Sequence, residues 1–259
     1  MLLCKLKVGV STIRRFWLAV LVCLVVLFSG WIHLIYSWGI EDPEVVRMVM
    51  NVEPGSNLIT RVDTGGKKVV ALTFDDGPDI FYTPRILDVL REHQVKATFF
   101  VVGENVEANP ELLRQMVREG HQVENHTHTH PELVKKGGSR IDEEIYRCEK
   151  AVESLTGRKT QYFRPPKRLF NDDVVDIAAV RGYTTVLWTV GVENRTTRVP
   201  QEMARRVSHR VVPGAIILAH DGRLDRSKTV EALPLLIKGC QQQGYRLVTL
   251  DELLSEGRR

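Results

Sequence analysis

The chain of 259 residues carries 36 Lys and Arg against 32 Asp and Glu, a net charge of +4. Lys5, Lys7, Arg14 and Arg15 at the amino terminus account for the whole excess, so the remainder is neutral and no nucleic-acid-binding surface is implied. The four cysteines, Cys4, Cys23, Cys148 and Cys240, include no close pair, which excludes a cysteine metal site. Cys148 and Cys240 fall on predicted helices, where buried thiols are favoured over a bridge. No internal repeat and no low-complexity tract is present.

The first element in chain order is apolar. From Phe16 to Ile40 there is no Asp, Glu, Lys or Arg, and residues 16–38 as a helix would extend roughly 34 Å against about 30 Å of bilayer hydrocarbon. Residues 1–15 then form a basic tail, which the positive-inside rule keeps in the cytoplasm, while Glu41 and Asp42 follow the span. Trp17, Trp31, Tyr36 and Trp38 suit the two interfaces. A cleavable signal peptide has an apolar core of about 7–15 residues and a small-x-small cleavage site, neither of which is evident, so a signal anchor is favoured. Arg14-Arg15 lacks the flanking residues of a twin-arginine export signal. The expected location is the cell membrane, single-pass, with the carboxyl-terminal domain outside the cytoplasm.

Residues 39–66 read as a linker, with a hairpin strand at 59–62 turning through Asp63-Thr64-Gly65-Gly66. Beyond it the pattern alternates. Apolar, β-branched runs at 69–74, 97–102, 120–125, 184–190, 215–220 and 245–250 predict strands, with a further short one before Arg164. Helical patterns occupy 84–93, 110–119, 139–155, 172–180, 200–211 and 230–243, and Pro131 is a plausible additional helix start. Such alternation implies an α/β fold of parallel strands wrapped by helices. About seven strands are countable, so the expectation is an irregular or open (β/α) barrel, a domain over residues 67–256, preceded by one transmembrane helix.

The chemistry sits at strand ends. Asp75 and Asp76 close the strand 69–74 and precede Gly77-Pro78. Adjacent strand side chains point to opposite faces, so the two carboxylates can share a site only where strand gives way to turn. His126 and His130 follow the strand 120–125 at i, i+4, a spacing that brings both imidazoles to one side of a helical turn, with His128 as an exposed neighbour. His nitrogen and Asp oxygen hold divalent metals, zinc above all, and three protein ligands suffice for a catalytic site. Arg164 and His220 end two further strand-like segments.

These segments resemble the polysaccharide deacetylase family, carbohydrate esterase family four. Thr73-Phe74-Asp75-Asp76 and His126-Thr127-His128-Thr129-His130 match its Thr-Phe-Asp-Asp and His-Ser/Thr-x-x-His elements. Arg164-Pro165-Pro166 matches Arg-x-Pro, and Leu218-Ala219-His220 matches Leu-x-His. The resemblance implies Asp76, His126 and His130 as ligands of zinc, with cobalt or nickel as alternatives. It implies Asp75 as general base, Arg164 as the residue that orients it, His220 as general acid, and Leu218 as the wall for the acetyl methyl. Lys167 and Arg168 replace the family's Tyr-Gly, which puts Lys167 in the substrate-binding position. Where Asp-x-x-Asp-Trp is usual, the chain reads Gly191-Val192-Glu193-Asn194-Arg195. Either Glu193 substitutes for the missing aspartate beside His220, or His220 works less effectively. Trp188, within the strand 184–190, is expected in the core. The implied activity is removal of acetyl groups from N-acetylated amino sugars of an extracellular glycan, peptidoglycan first, with chitin-like oligomers or O-acetyl esters open to the same apparatus. The alternative is a noncatalytic glycan-binding protein on a degenerate barrel.

Overall fold

A computed structural model describes residues 57–193 and 197–257. The predicted tail and membrane segment, and most of the linker, lie outside the described residues. Among the described residues no helix is long and apolar enough to cross a membrane. Nine strands build one sheet. They are β1 (Leu58–Ile59), β2 (Val69–Asp75), β3 (Thr98–Val101), β4 (Gln122–Asn125), β5 (Tyr162–Phe163), β6 (Thr184–Val186), β7 (Val190–Gly191), β8 (Ile216–His220) and β9 (Arg246–Val248). Their order is β1-β6-β5-β4-β3-β2-β8-β7, with β9 beside the first half of β2, and every ladder is parallel. The expected parallel, curled and open barrel is the observed one, with nine strands rather than about seven. The additional strands are two-residue pieces, too short to leave a period in the sequence.

Helices α1 (Thr83–Glu92), α2 (Gly103–Ala108), α3 (Pro110–Arg118), α4 (Gly138–Thr156), α5 (Asp172–Val180), α6 (Pro200–Arg210), α7 (Ser227–Gln242) and α8 (Leu250–Gly257) connect and flank the strands. Pro84, Pro110 and Pro200 stand in the first turns of α1, α3 and α6, where a missing N–H costs nothing. Asn171 caps α5 by accepting from Val174 N at 3.2 Å. Helices α2 and α8 escaped the sequence reading because they are short. Pro131 opens no helix; the chain makes only a 3-10 turn at Leu133–Lys135 before α4.

The β2 strand divides the core. Val70, Leu72 and Phe74 pack outward with Ile86, Leu87 and Leu90 of α1. Val69 and Ala71 face the barrel interior with Phe100, Tyr162, Val186, Ile216 and Val248, capped from below by Leu250 and Leu253 of α8. By the same alternation Thr73 and Asp75 continue the inward row towards the carboxyl end. Cys148 and Cys240 are buried free thiols.

Two expectations need correction. The strand before β2 forms no hairpin with it: Leu58–Ile59 pairs parallel with β6, and the chain at Arg61 touches Ala215 in a single antiparallel bridge. The turn at 63–66 therefore redirects the chain beneath the barrel. The run 184–190 is also two strands, interrupted at Leu187 to Thr189. Thr189 spans the resulting seam, since its hydroxyl donates to Thr60 O at 2.9 Å and accepts from Ile216 N at 3.0 Å. A side chain thus supplies the connection that a continuous ladder would otherwise make.

Beside this seam, Gly214 at φ +78° accepts from Val62 N at 3.0 Å and donates to Val69 O at 2.8 Å. A Cβ there would stand 1.7 Å from Val62 O. Gly214→Ala should lower stability by about 2 kcal/mol or more. Calorimetry should show this as a fall in Tm of roughly 4–8 °C.

Candidate active site

Asp75 ends β2, pairing in register with His220 of β8 on one side and Phe100 of β3 on the other. Its Oδ1 accepts from Arg164 Nη1 at 2.6 Å. Arg164 is wholly buried within the barrel. The same guanidinium donates to Thr73 Oγ1 at 2.9 Å, Val186 O at 3.1 Å and Leu187 O at 3.2 Å. It lies 3.9 Å from the Phe100 ring centroid. Burial pushes its pKa down and the Asp75 carboxylate opposes that shift. The pairing holds Asp75 in one rotamer with Oδ2 left free of Arg164.

Asp76 would point outward if the strand continued. Its φ of 80° turns it instead to the same side as Asp75. Three neighbours hold this uncommon backbone. Asn105 of α2 donates to Asp76 O at 2.7 Å, Arg226 donates to Asp76 Oδ2 at 3.2 Å, and Asp221 packs against Gly77. A Cβ on Gly77 would lie 2.1 Å from Asp221 Oδ2, so glycine is required there by close approach. Burial raises the Asp221 pKa to about 7, against the lowering effect of its hydrogen bond with Thr83.

His126 and His130 converge as expected, but not on a helical turn. Residues 126–130 form a loop in which Thr127 and His130 have φ of 70° and 58°. The rings meet edge to face with centroids 5.1 Å apart. His126 Nδ1 lies 2.7 Å from the carbonyl oxygen of Arg164. That carbonyl can only accept, so Nδ1 carries the proton and the Nε2 lone pair faces the site. Burial lowers the His126 pKa despite the attraction of Asp75 and Asp76, which keeps the ring neutral.

His126 Nε2 and His130 Nε2 lie 3.6 and 3.1 Å from Asp76 Oδ1. That oxygen is buried without a hydrogen-bond partner. Burial alone would raise the Asp76 pKa, yet His130, His126 and His220 together pull it well below the ordinary carboxylate value. One ligand atom from each of Asp76, His126 and His130 falls within 4.8 Å of the other two. Two nitrogen donors facing an unsatisfied carboxylate oxygen fit a divalent cation in number and type.

On the far side of Asp75, His220 Nδ1 lies 3.1 Å from Glu193 Oε2, while its backbone N donates to Glu193 Oε1 at 3.2 Å. Thr229 also donates to Glu193 Oε1, at 2.6 Å. Of the two outcomes open from sequence, the contact is the one in which a Glu193 carboxylate stands beside His220. Burial lowers the His220 pKa, but Glu193 and then Asp75 raise it, and the net shift is upward.

A cavity of about 320 Å³ is lined by Asp75, Asp76, His126, His130 and His220 together with Lys167, Trp188 and Leu224. Leu218, the expected methyl wall, is buried in register with Thr73 and Gly191, whereas Trp188 and Leu224 provide apolar lining. Trp188 lies in the interruption between β6 and β7, which is why it reaches the cavity. Lys167 reaches it too, but its Nζ is tied to Glu132 Oε1 at 2.9 Å.

His128 is buried, contrary to its expected exposure, close beneath Gly103. The reason is Glu144 of α4, itself buried, which accepts from His128 N at 3.1 Å, Thr129 N at 2.8 Å and Thr129 Oγ1 at 2.8 Å. Sequence reasoning missed Glu144, Arg226, Asn105 and Asp221. For Glu144 a signal existed, since it shares the buried face of α4 with Ile141, Ile145 and Cys148. Arg226 follows its strand in a loop and carries no periodic signal.

An open parallel barrel with Asp75, Asp76, His126, His130 and His220 gathered at its carboxyl end has the arrangement of a (β/α)-barrel enzyme. A polysaccharide deacetylase family model matches residues 62–186. A peptidoglycan-N-acetylglucosamine deacetylase of Bacillus cereus is 40% identical over 190 residues, 73% of this chain and 89% of that one. A chitooligosaccharide deacetylase of a Bradyrhizobium species is 37% identical over 203 residues, 74% of this chain and 93% of that one. Among solved structures, a CE4 family pseudoenzyme from Bacillus anthracis superposes with a TM-score of 0.71 at 34% identity, covering 80% of this chain and 71% of that one. The chain belongs to the polysaccharide deacetylase family.

Glu144→Ala would leave one buried and one half-buried backbone N–H group unbonded and free the histidine loop. Affinity for Zn²⁺, measured by calorimetric titration of the chelated protein, should fall about 10- to 100-fold. An unaltered affinity would show that the loop holds its own shape.

Proposed function

We propose that the chain hydrolyses the acetamide of N-acetylated amino sugars in a polysaccharide, peptidoglycan first. Asp76, His126 and His130 would hold the divalent metal, zinc first, with cobalt or nickel as alternatives. The carrying observation is that one cavity unites these three donors with a carboxylate fixed by Arg164 and an imidazole fixed by Glu193. A cation in the donor set supplies Lewis acidity that polarises a carbonyl and activates water at neutral pH.

The protein's own groups divide the proton work. Asp75 Oδ2, the oxygen not bonded to Arg164, lies 3.8 Å from His126 Nε2 and borders the cavity. It is placed to accept the proton of an attacking water. His220 has Nδ1 committed to Glu193, which leaves Nε2 to give a proton to the departing nitrogen. That proton is required because an amide anion leaves poorly. Trp188 and Leu224 offer apolar surface around the reacting centre.

Acetate release from N-acetylglucosamine oligomers and from peptidoglycan tests the reading. Asp75→Asn and His220→Ala should each lower kcat about 10²- to 10⁴-fold, and chelation should abolish activity until metal is restored. Inactivity of the metal-loaded chain on all acetylated glycans tried would leave the glycan-binding reading.

The pH profile has a defined sign. Glu193 favours the protonated form of His220 and so raises its pKa, and a general acid works only while protonated. Glu193→Gln should therefore move the basic limb of kcat/KM to lower pH. A basic limb that stays in place would assign it to another group.

The charge asymmetry around residues 16–38 supports a membrane-tethered domain outside the cytoplasm. Protease treatment of intact cells should release the domain. Protection would reverse the orientation, and a soluble product beginning near residue 40 would indicate a cleaved signal.

A further inference from the structure

Two loops, one of which borders the cavity through Leu224, carry large apolar side chains in solvent. Phe81 is 73% exposed, Ile80 65% and Leu224 68%, the most exposed large apolar residues after Val180 among the described residues. They are presented by structure. Asp79 Oδ1 accepts from Phe81 N at 2.8 Å and Tyr82 N at 3.0 Å, closing a turn that sets Ile80 and Phe81 outward. Asp79 N in turn donates to Thr83 Oγ1 at 2.8 Å, fixing the turn to the start of α1. Tyr82 then donates to Asp225 Oδ1 at 3.0 Å, joining this turn to the loop of Leu224.

Leu224 belongs to both places, since it lines the catalytic cavity while standing mostly in solvent. The turn of Ile80 and Phe81 is thus tied, through Tyr82 and Asp225, to a loop that borders the active site. A cavity of about 320 Å³ is near the lower size for a small-ligand pocket, so a polymer that reacts within it must run its neighbouring sugars across the rim. A pyranose ring offers a face of polarised C–H groups, the positive partner that the negative face of an aromatic ring attracts. Exposed apolar surface beside a polar cleft is the usual mark of a binding site.

The geometry points to a glycan subsite outside the catalytic cavity, in which Phe81 stacks on a sugar flanking the reacting residue and Ile80 and Leu224 extend the platform. It rests on the deacetylase reading for the identity of the ligand, and it makes the protein a reader of chain length. A dimer of N-acetylglucosamine places little on the platform, whereas a hexamer covers it.

The test is equilibrium binding by the full-length Asp75→Asn chain, which reads the subsite without turnover. Calorimetric titration with N-acetylglucosamine dimer and hexamer should show the hexamer's advantage reduced about threefold to tenfold by Phe81→Ala, the size of one aromatic stacking contact. Phe81→Trp should restore it and Phe81→Leu should not, which separates ring stacking from simple greasiness. Val180→Ala, on α5, should bind both oligomers like the parent. In the Asp75-intact chain, if it is active, the same variants should change the hexamer-to-dimer ratio of KM. Absence of turnover with intact length-dependent binding would sink the deacetylase reading and keep the subsite. A hexamer affinity indifferent to Phe81→Ala would overturn the subsite, whether the patch then proved to bind a second copy of the chain or a lipid surface.

Discussion

A guanidinium sealed inside a protein must find a counter-charge and acceptors for its N–H groups, because an unpaired buried charge costs several kcal/mol. Arg164 meets that demand with Asp75, Thr73 and two carbonyls at the end of β6. The arrangement ties three segments of the barrel to one side chain. It also fixes the Asp75 carboxylate, and its backbone carbonyl sets the tautomer of His126. One residue therefore orients Asp75 through its side chain and His126 through its main chain. The barrel interior is polar at this level because Asp75 needs it to be, and Phe100 and Trp188 flank the guanidinium to exclude water.

Around this centre the backbone is bent in ways that only tertiary contacts sustain. Asp76, Thr127, His130, Lys167 and Arg168 all have positive φ and none is glycine. Each such residue costs of order 1 kcal/mol or more, and their concentration at one end of the barrel indicates that placement of side chains is held against local preference. Asn105, Arg226 and Glu144 hold Asp76 and the histidine loop in place. The consequence is rigidity where ligand atoms must converge. Loss of such a supporting group should loosen the site more than it unfolds the domain.

This also explains what could be read from the chain beforehand. The helices α1, α3, α4, α5, α6 and α7 were legible to within a few residues because their apolar periods are long and prolines mark three of their starts. The convergence of Asp75, Asp76, His126, His130, Arg164 and His220 was legible because each stands at or just after a strand's carboxyl end. Two-residue strands leave no such trace, nor does a closure made by the Thr189 hydroxyl. Trp188 packs against the interior cluster as expected, but the strand breaks before it, so it also borders the cavity. His128 was misplaced because its burial depends on Glu144, sixteen positions away and on another element. Local pattern reports the elements, and the polar contacts between loops are not local.

Glu193 shows how a departure from a family pattern can preserve its physics. The family aspartate is missing from its expected place, yet a carboxylate reaches His220 Nδ1 from Glu193. Thr229 bonds the same carboxylate and limits its freedom. What is kept is a charge beside an imidazole, in a setting where burial opposes protonation and the carboxylate restores it. Fold similarity is set by the barrel core, whereas chemistry depends on which side chains share one cavity, and here Asp75, Asp76, His126, His130 and His220 do.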